Sequence, residues 1–143
     1  MSSTAVREVG AVGVRQLVDE WYAALDRHAP FEEVLRFVTR EGLLMRFPEG
    51  TAEGLDAFRG WYETVTHRFF DEVHEVRSVE TRGDEVAVVV NWQTRMWNPP
   101  AARSVWLGFD AYQTWTVALE DGTPRIRTYV VDRLEAMPGS AEL

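Results

Sequence analysis

Apolar positions along this chain follow two periods, one after the other. From Val14 to Leu25, "VRQLVDEWYAAL" places Val14, Leu17, Val18, Trp21, Ala24 and Leu25 on one stripe, the spacing of an amphipathic helix. "DRHAP" ends it, because Pro30 disfavours helix at Ala29 and is suited to begin the next one. "PFEEVLRFV" repeats the helical spacing through Phe31, Val34, Leu35 and Val38. After Gly42, "LLMRF" alternates as a short strand and "PEGTAEG" supplies a turn. A third helix is predicted over "LDAFRGWYETVTHRFF", with Leu55, Phe58, Trp61, Tyr62 and Val65 on its buried side.

Beyond it the period becomes two. "HEVRSVE" leads through "TRGDE" into "VAVVVNWQTRMW", "NPPAAR" leads into "SVWLGFDAYQTWTVAL", and "EDGTPR" leads into "IRTYVVDRLE". Short loops between successive strands predict an antiparallel meander. Helices first, then long strands, specify an α+β domain with helices packed on one face of a curved sheet. The reading is a single domain over 1–143, its core at about 14–134 and both tails, "AMPGSAEL" included, loosely held.

Composition narrows the function classes. A chain of 143 residues, 45% apolar, buries roughly 68–70% of its unfolded surface, enough for a core with room for a pocket. The net charge is −8 and all 15 basic residues are Arg, so no basic tract exists for nucleic acid or an anionic membrane surface. The lack of Lys beside abundant Arg, Ala, Gly and Val resembles a high-GC bacterial coding bias. No Cys is present, which excludes disulfides and thiolate chemistry. No run has signal-peptide character or the length of a membrane span, so a cytoplasmic protein is expected.

One stretch, "HRFFDEVHEV", raises the question of a metal. His67, Asp71 and His74 stand at i, i+4 and i+7 and would share a face of one helix. If the helix ends near Phe70 and a strand begins near His74, that face does not exist. The seam is the preferred reading, with no metal expected; His67 then sits in a last helical turn, and Asp71 and Glu72 form a solvated corner.

Strand parity selects the candidates for a pocket. Val86, Val88, Val90, Trp92, Thr94 and Met96 form the apolar row of one strand, and Val105, Leu107, Phe109, Ala111, Gln113, Trp115, Val117 and Leu119 that of the next. Gln113 is a lone amide on this face. The last strand contributes Ile126, Thr128, Val130, Asp132 and Leu134, provided that no bulge inverts the count. Asn91, Trp97, Trp106 and Tyr112 fall on the outer face, where exposed aromatics predict contact with a second subunit.

"LVDEWYAALDRHAPFEEVLRFVTREGLLMRFPEG", followed by "EGLDAFRGWYETV", "HEVRSVETRGDEVAVVVNW" and "DGTPRIRTYVVD", resembles the nuclear-transport-factor-2-like superfamily in its SnoaL-like and ketosteroid-isomerase-like branch, over about residues 14–134. The resemblance implies a cone-shaped α+β barrel, with three N-terminal helices on the concave face of a strongly curved, mostly antiparallel sheet, and a homodimer formed through the convex face. It also implies a hydrophobic small-molecule ligand and no cofactor. The ketosteroid-isomerase base position is Phe47, before Pro48; that family's first-helix tyrosine falls on Trp21, with Tyr22 one step off, and its second acid near Gln113 or Trp115. The epoxide-hydrolase Arg-x-Asp pairing is not found on a strand. The SnoaL-like plan, a late-strand aspartate beside a histidine, points to Asp132 and His74, with Gln113 stabilising an enolate. Trp21, Trp61, Trp92, Thr94, Trp115 and Thr128 are the expected ligand-binding residues. The expected function is a cofactor-independent isomerase, cyclase or lyase acting on a polycyclic or aromatic metabolite; the alternative is a non-catalytic binding or dimeric accessory protein.

Overall fold

The computed structural model of the chain describes residues 2–98 and 103–143, so most of the predicted "NPPAAR" turn lies outside the described residues. Helix α1 (Ser2–Asp26) is broken at Gly10, whose φ of 73° no helix allows, and its second part carries the predicted stripe. The short α2 (Phe31–Val34) passes into a 3-10 turn at Leu35–Phe37, and Val38 is already extended, bridging to Ile126. A hairpin follows, β1 (Leu44–Phe47) and β2 (Gly50–Glu53), its second strand taken from residues predicted as turn. Helix α3 (Gly54–Arg68) then runs directly into β3 (Phe69–Arg82).

Strands β3, β4 (Glu85–Asn98), β5 (Arg103–Glu120) and β6 (Thr123–Ala136) form the expected meander. The sheet order is β2-β1-β6-β5-β4-β3, and β1 joins β6 in parallel, the one parallel pairing among the described strands. Three helices thus cover one face of a six-stranded, mostly antiparallel, curved sheet. Trp21, Tyr22 and Phe58 from the helices meet Val86, Val88, Trp115 and Ile126 from the sheet in one core, each at most 2% exposed.

Four bulges curve the sheet and set which side chains face inward. In β3, Asp71 and Glu72 together oppose Thr94, and Arg77 is extra between the Val76 and Ser78 pairings. In β6, Arg127 and Asp132 are the extra residues. The β4 and β5 rows pair without a slip and keep the predicted parity. In β6 the row becomes Ile126, Tyr129, Val131 and Leu134, which displaces Thr128, Val130 and Asp132 from the predicted inner face.

The C-terminal tail is held more firmly than predicted. Met137 N–H donates to Gly108 O, Ala141 N–H to Trp106 O, and Ser140 Oγ accepts from Gly108 N–H, so the segment extends the pairing along β5. Gly108 is required there: a Cβ would stand 2.6 Å from the Trp106 ring and 2.9 Å from Met137 Sδ. The outer-face aromatics are consequently covered within the chain, Trp106 by this tail and Tyr112 by the Arg133 guanidinium 3.8 Å from its ring centre. Asn91 is buried, bonded to Asp110 and Gln93; Trp97 stays 51% exposed.

Candidate active site

Where helices and sheet diverge, they leave a cavity of about 350 Å³ walled by β3–β6, α3 and the β1–β2 hairpin. Its lining is mostly apolar and aromatic, with Phe47 stacked on Trp61 at 5.3 Å at one side and Trp92 at the other. The polar side chains on its sheet wall are Glu72 and His74 on β3, Gln113 on β5 and Tyr129 on β6; Glu49 in the hairpin and Tyr62, Thr64, Thr66 and Arg68 on α3 line the opposite side.

His74 is gripped by the last residue of α1. Asp26 Oδ1 lies 2.5 Å from its Nδ1, and Asp26 Oδ2 accepts its backbone N–H at 3.0 Å. The ring lies between Tyr22, with centroids 4.7 Å apart, and Trp92, nearly parallel at 6.2 Å. An aspartate on Nδ1 holds the proton there and leaves Nε2 as the basic nitrogen of a ring that lines the cavity. The sequence logic of the clamp is local: Asp26 stands one helical turn after Tyr22, so both project from the same side of α1 toward β3.

The second polar group is a phenol–amide network. Gln113 Oε1 accepts from Tyr22 Oη at 3.0 Å and from Trp115 Nε1 at 2.8 Å, and the Tyr22 and Tyr129 hydroxyls are 3.0 Å apart. Since Gln113 takes the Tyr22 proton, Tyr129 donates to Tyr22. Burial, then the neighbouring Tyr129, pushes the Tyr22 phenol well above its ordinary pKa. Burial raises Tyr129 as well, offset in part by neighbouring polar side chains that would stabilise its anion. The Trp21 indole N–H is among these electrostatic neighbours but falls short of hydrogen-bond geometry. Both phenols are therefore neutral donors rather than bases.

This has a consequence for stability. A raised pKa in the folded state means that the native protein keeps protons which the unfolded chain releases above about pH 10. Stability contributed by the neutral phenols is complete below that pH and is lost as pH rises through the folded values. Melting temperature should fall between pH 10 and 11, and Tyr22→Phe should flatten that slope.

The third polar group was not foreseen. Glu72, read from sequence as part of a solvated corner, is a cavity-lining carboxylate whose side chain is 7% exposed. The bulge at Asp71, with φ 52°, turns it inward. Its oxygens are bonded to His28 Nε2 at 2.7 Å and Trp92 Nε1 at 2.9 Å. Glu72 and His74, two apart on one strand, share a face, and that period was the available signal.

Of the predicted site residues, the fold brings His74, Gln113, Trp61 and Trp92 to the cavity. Trp21, Trp115 and Thr94 face inward but lie behind its wall as buried core, Thr94 bonded to Phe70 O. Asp132 and Thr128 are on the other face of β6; Asp132 is exposed and accepts from Thr114 Oγ1 at 2.7 Å. The cause is the Arg127 bulge, which brings Tyr129 and Val131 inward instead; the second bulge, at Asp132, returns Leu134 to the inner face. The helical metal arrangement also dissolves, because α3 ends at Arg68, leaving His67 on the helix with Nδ1 beside Glu63 O and placing Asp71 and His74 on β3. Among the described residues no cluster of three or more His, Cys, Asp or Glu side chains is placed to hold a metal ion, and no helix is long and apolar enough to cross a membrane.

Comparison with known proteins places this geometry. The family model described as a SnoaL-like domain matches residues 18–129. No curated protein matches the sequence significantly. Among solved structures, a protein described as a SnoaL-like polyketide cyclase from Shewanella denitrificans is 13% identical with a TM-score of 0.68, covering 85% of this chain and 89% of its own. The epoxide hydrolase/cyclase-like enzyme SalBIII, described in pyran ring formation in the polyether salinomycin, is 15% identical with a TM-score of 0.64, over 89% and 95% of the two chains. A protein described as a scytalone dehydratase from Novosphingobium aromaticivorans is 16% identical with a TM-score of 0.63, over 91% and 86%. At these identities the likeness is one of fold.

Proposed function

We propose, for a chain that belongs to the SnoaL-like domain family, a cofactor-independent acid–base enzyme that moves a proton next to a carbonyl of a hydrophobic polycyclic or aromatic metabolite. The observation that carries this reading is the Asp26–His74 pair at the wall of an aromatic cavity. His74 Nε2 takes the proton from carbon. Asp26 stabilises the imidazolium that forms. On substrate binding the neutral Tyr129 hydroxyl, which lines the cavity, turns its proton from Tyr22 to the enolate oxygen, where a hydrogen bond strengthens as negative charge develops. Enolate formation is a first step open to isomerisation, aldol-type cyclisation and elimination alike, and relatives described as cyclases and dehydratases share the fold.

A carrier or accessory protein is the second reading, favoured by the closed hydrogen bonding of Tyr22 and Gln113, which already satisfy each other. Incubation with 2-tetralone, a bicyclic ketone, in heavy water separates the two. The enzyme should accelerate deuterium entry at the carbons beside the carbonyl, read by proton NMR, while quenching of tryptophan fluorescence reports binding. Binding with no acceleration over buffer would establish the carrier. For assembly, a homodimer through the outer face of the sheet is proposed on the exposed Trp97, since Trp106 and Tyr112 are covered by their own chain.

A further inference from the structure

We propose that Glu72 is a second proton-transfer group of the same cavity and that His28 connects it to solvent. The inference rests on the acid–base reading of the site and assigns the return half of the reaction to a different pair of side chains.

Three observations carry it. Glu72 is a nearly buried carboxylate that lines the cavity, two positions from His74 on one strand face, hence roughly 7 Å along the wall. One oxygen is fixed by the Trp92 indole, and the other faces His28 Nε2 at 2.7 Å; His28 is 27% exposed and so reaches water. Both arms of the pair are held by left-handed backbone at non-glycine residues, His28 at φ 49° and Asp71, just before Glu72, at φ 52°. Such conformations are disfavoured for residues with a Cβ and persist where the surroundings enforce them.

The charged and titratable neighbours are consistent with a carboxylate that addresses the cavity. Tyr62 on α3 and Tyr129 on β6 both feel the Glu72 charge, after burial, as an upward push on their phenols. Tyr62 itself donates to Ala29 O beside His28, and Arg27 next to it is paired with Glu33, so neither competes for Glu72. Arg68, at the same end of β3, lies over Phe69 and donates to Met96 Sδ.

A C–H bond beside the carbonyl breaks, its proton passing to His74 Nε2 and its electron pair to the enolate. The His28 imidazolium passes its Nε2 proton to the Glu72 carboxylate, which delivers it to a carbon of the enolate, forming the new C–H bond. Glu72 is left as the carboxylate and His28 as the neutral ring, His28 regains its proton from solvent, and His74 releases its proton to solvent as product leaves.

The test is deuterium entry into 2-tetralone with Glu72→Gln and His28→Gly. Glycine suits the left-handed backbone at position 28 and opens space for added imidazole. Glu72→Gln should slow exchange by about 10²-fold with no response to imidazole, and His28→Gly should slow it by about tenfold or more with recovery in imidazole. His28→Gly exchanging at the wild-type rate, or a deficit that imidazole leaves unchanged in folded protein, overturns the relay. Absence of exchange in the wild type defeats the underlying acid–base reading instead. In that event the nitrogen-15 shifts of the His28 ring decide the coupling: they should respond to saturating 2-tetralone in wild type and not in Glu72→Gln, and no response in wild type overturns the proposal.

Discussion

Replacing His74 with Asn should lower exchange into 2-tetralone by about 10⁴-fold, and Asp26→Asn by about 10²–10⁴-fold, with binding nearly unchanged in both. The aspartate acts through two contacts on one residue, the ring Nδ1 and the backbone N–H of His74. An amide in its place keeps the shape. It can present its N–H₂ to Nδ1, which selects the tautomer with the proton on Nε2, the nitrogen required as base. It also removes the negative charge that stabilises the imidazolium. The loss should therefore appear in kcat, while tryptophan quenching by 2-tetralone stays within a few-fold. A variant that loses binding and turnover together would make Asp26 a structural end-piece of α1 rather than part of the reaction.

Trp115→Ala should be the most damaging change to the fold, lowering unfolding free energy by about 3–5 kcal/mol in urea titration. Trp115 has no exposed surface, lies 5.2 Å from Tyr129 and 6.0 Å from Tyr22 between ring centres, and donates its indole N–H to Gln113. Truncation leaves a void behind the wall of the lined cavity and frees one acceptor position on the buried Gln113 amide. Against a domain stability of about 5–15 kcal/mol, that loss removes a large fraction of the whole. Trp115→Phe fills most of the space and should cost markedly less, which separates packing from the hydrogen bond. A loss below 1 kcal/mol for Ala would show that neighbouring aromatics collapse into the space.

The two variants act on different parts of one arrangement. Trp115 is the backing of the wall, and its removal should loosen the Tyr22–Gln113–Tyr129 network before it touches His74. Asp26 lies at the end of the helix whose buried stripe packs on the sheet, so the grip on His74 depends on the docking of α1. The geometry of the Asp26–His74 pair and core packing are thus coupled through α1, whereas the Glu72–His28 pair hangs on the turn after it and on the β3 bulge.

What the sequence determined by itself was the architecture and the unbroken rows. The 3.6-residue stripe of α1, the period-two rows of β4 and β5, and the change of period after α3 depend only on which side chains must leave water, and the fold keeps them. His74 and Gln113 were legible for that reason, as polar residues on otherwise buried rows. The tertiary structure decided everything downstream of a bulge. An extra residue changes parity without changing the apolar pattern enough to be read, so the Arg127 bulge moved Asp132 outward and Tyr129 inward, and Glu72 turned from an apparent corner into a cavity carboxylate at Asp71. It also decided partners distant in the chain: Asp26 with His74 and His28 with Glu72 meet because α1 crosses the start of β3, a contact between residues 44 and 48 positions apart on which local periodicity carries no information.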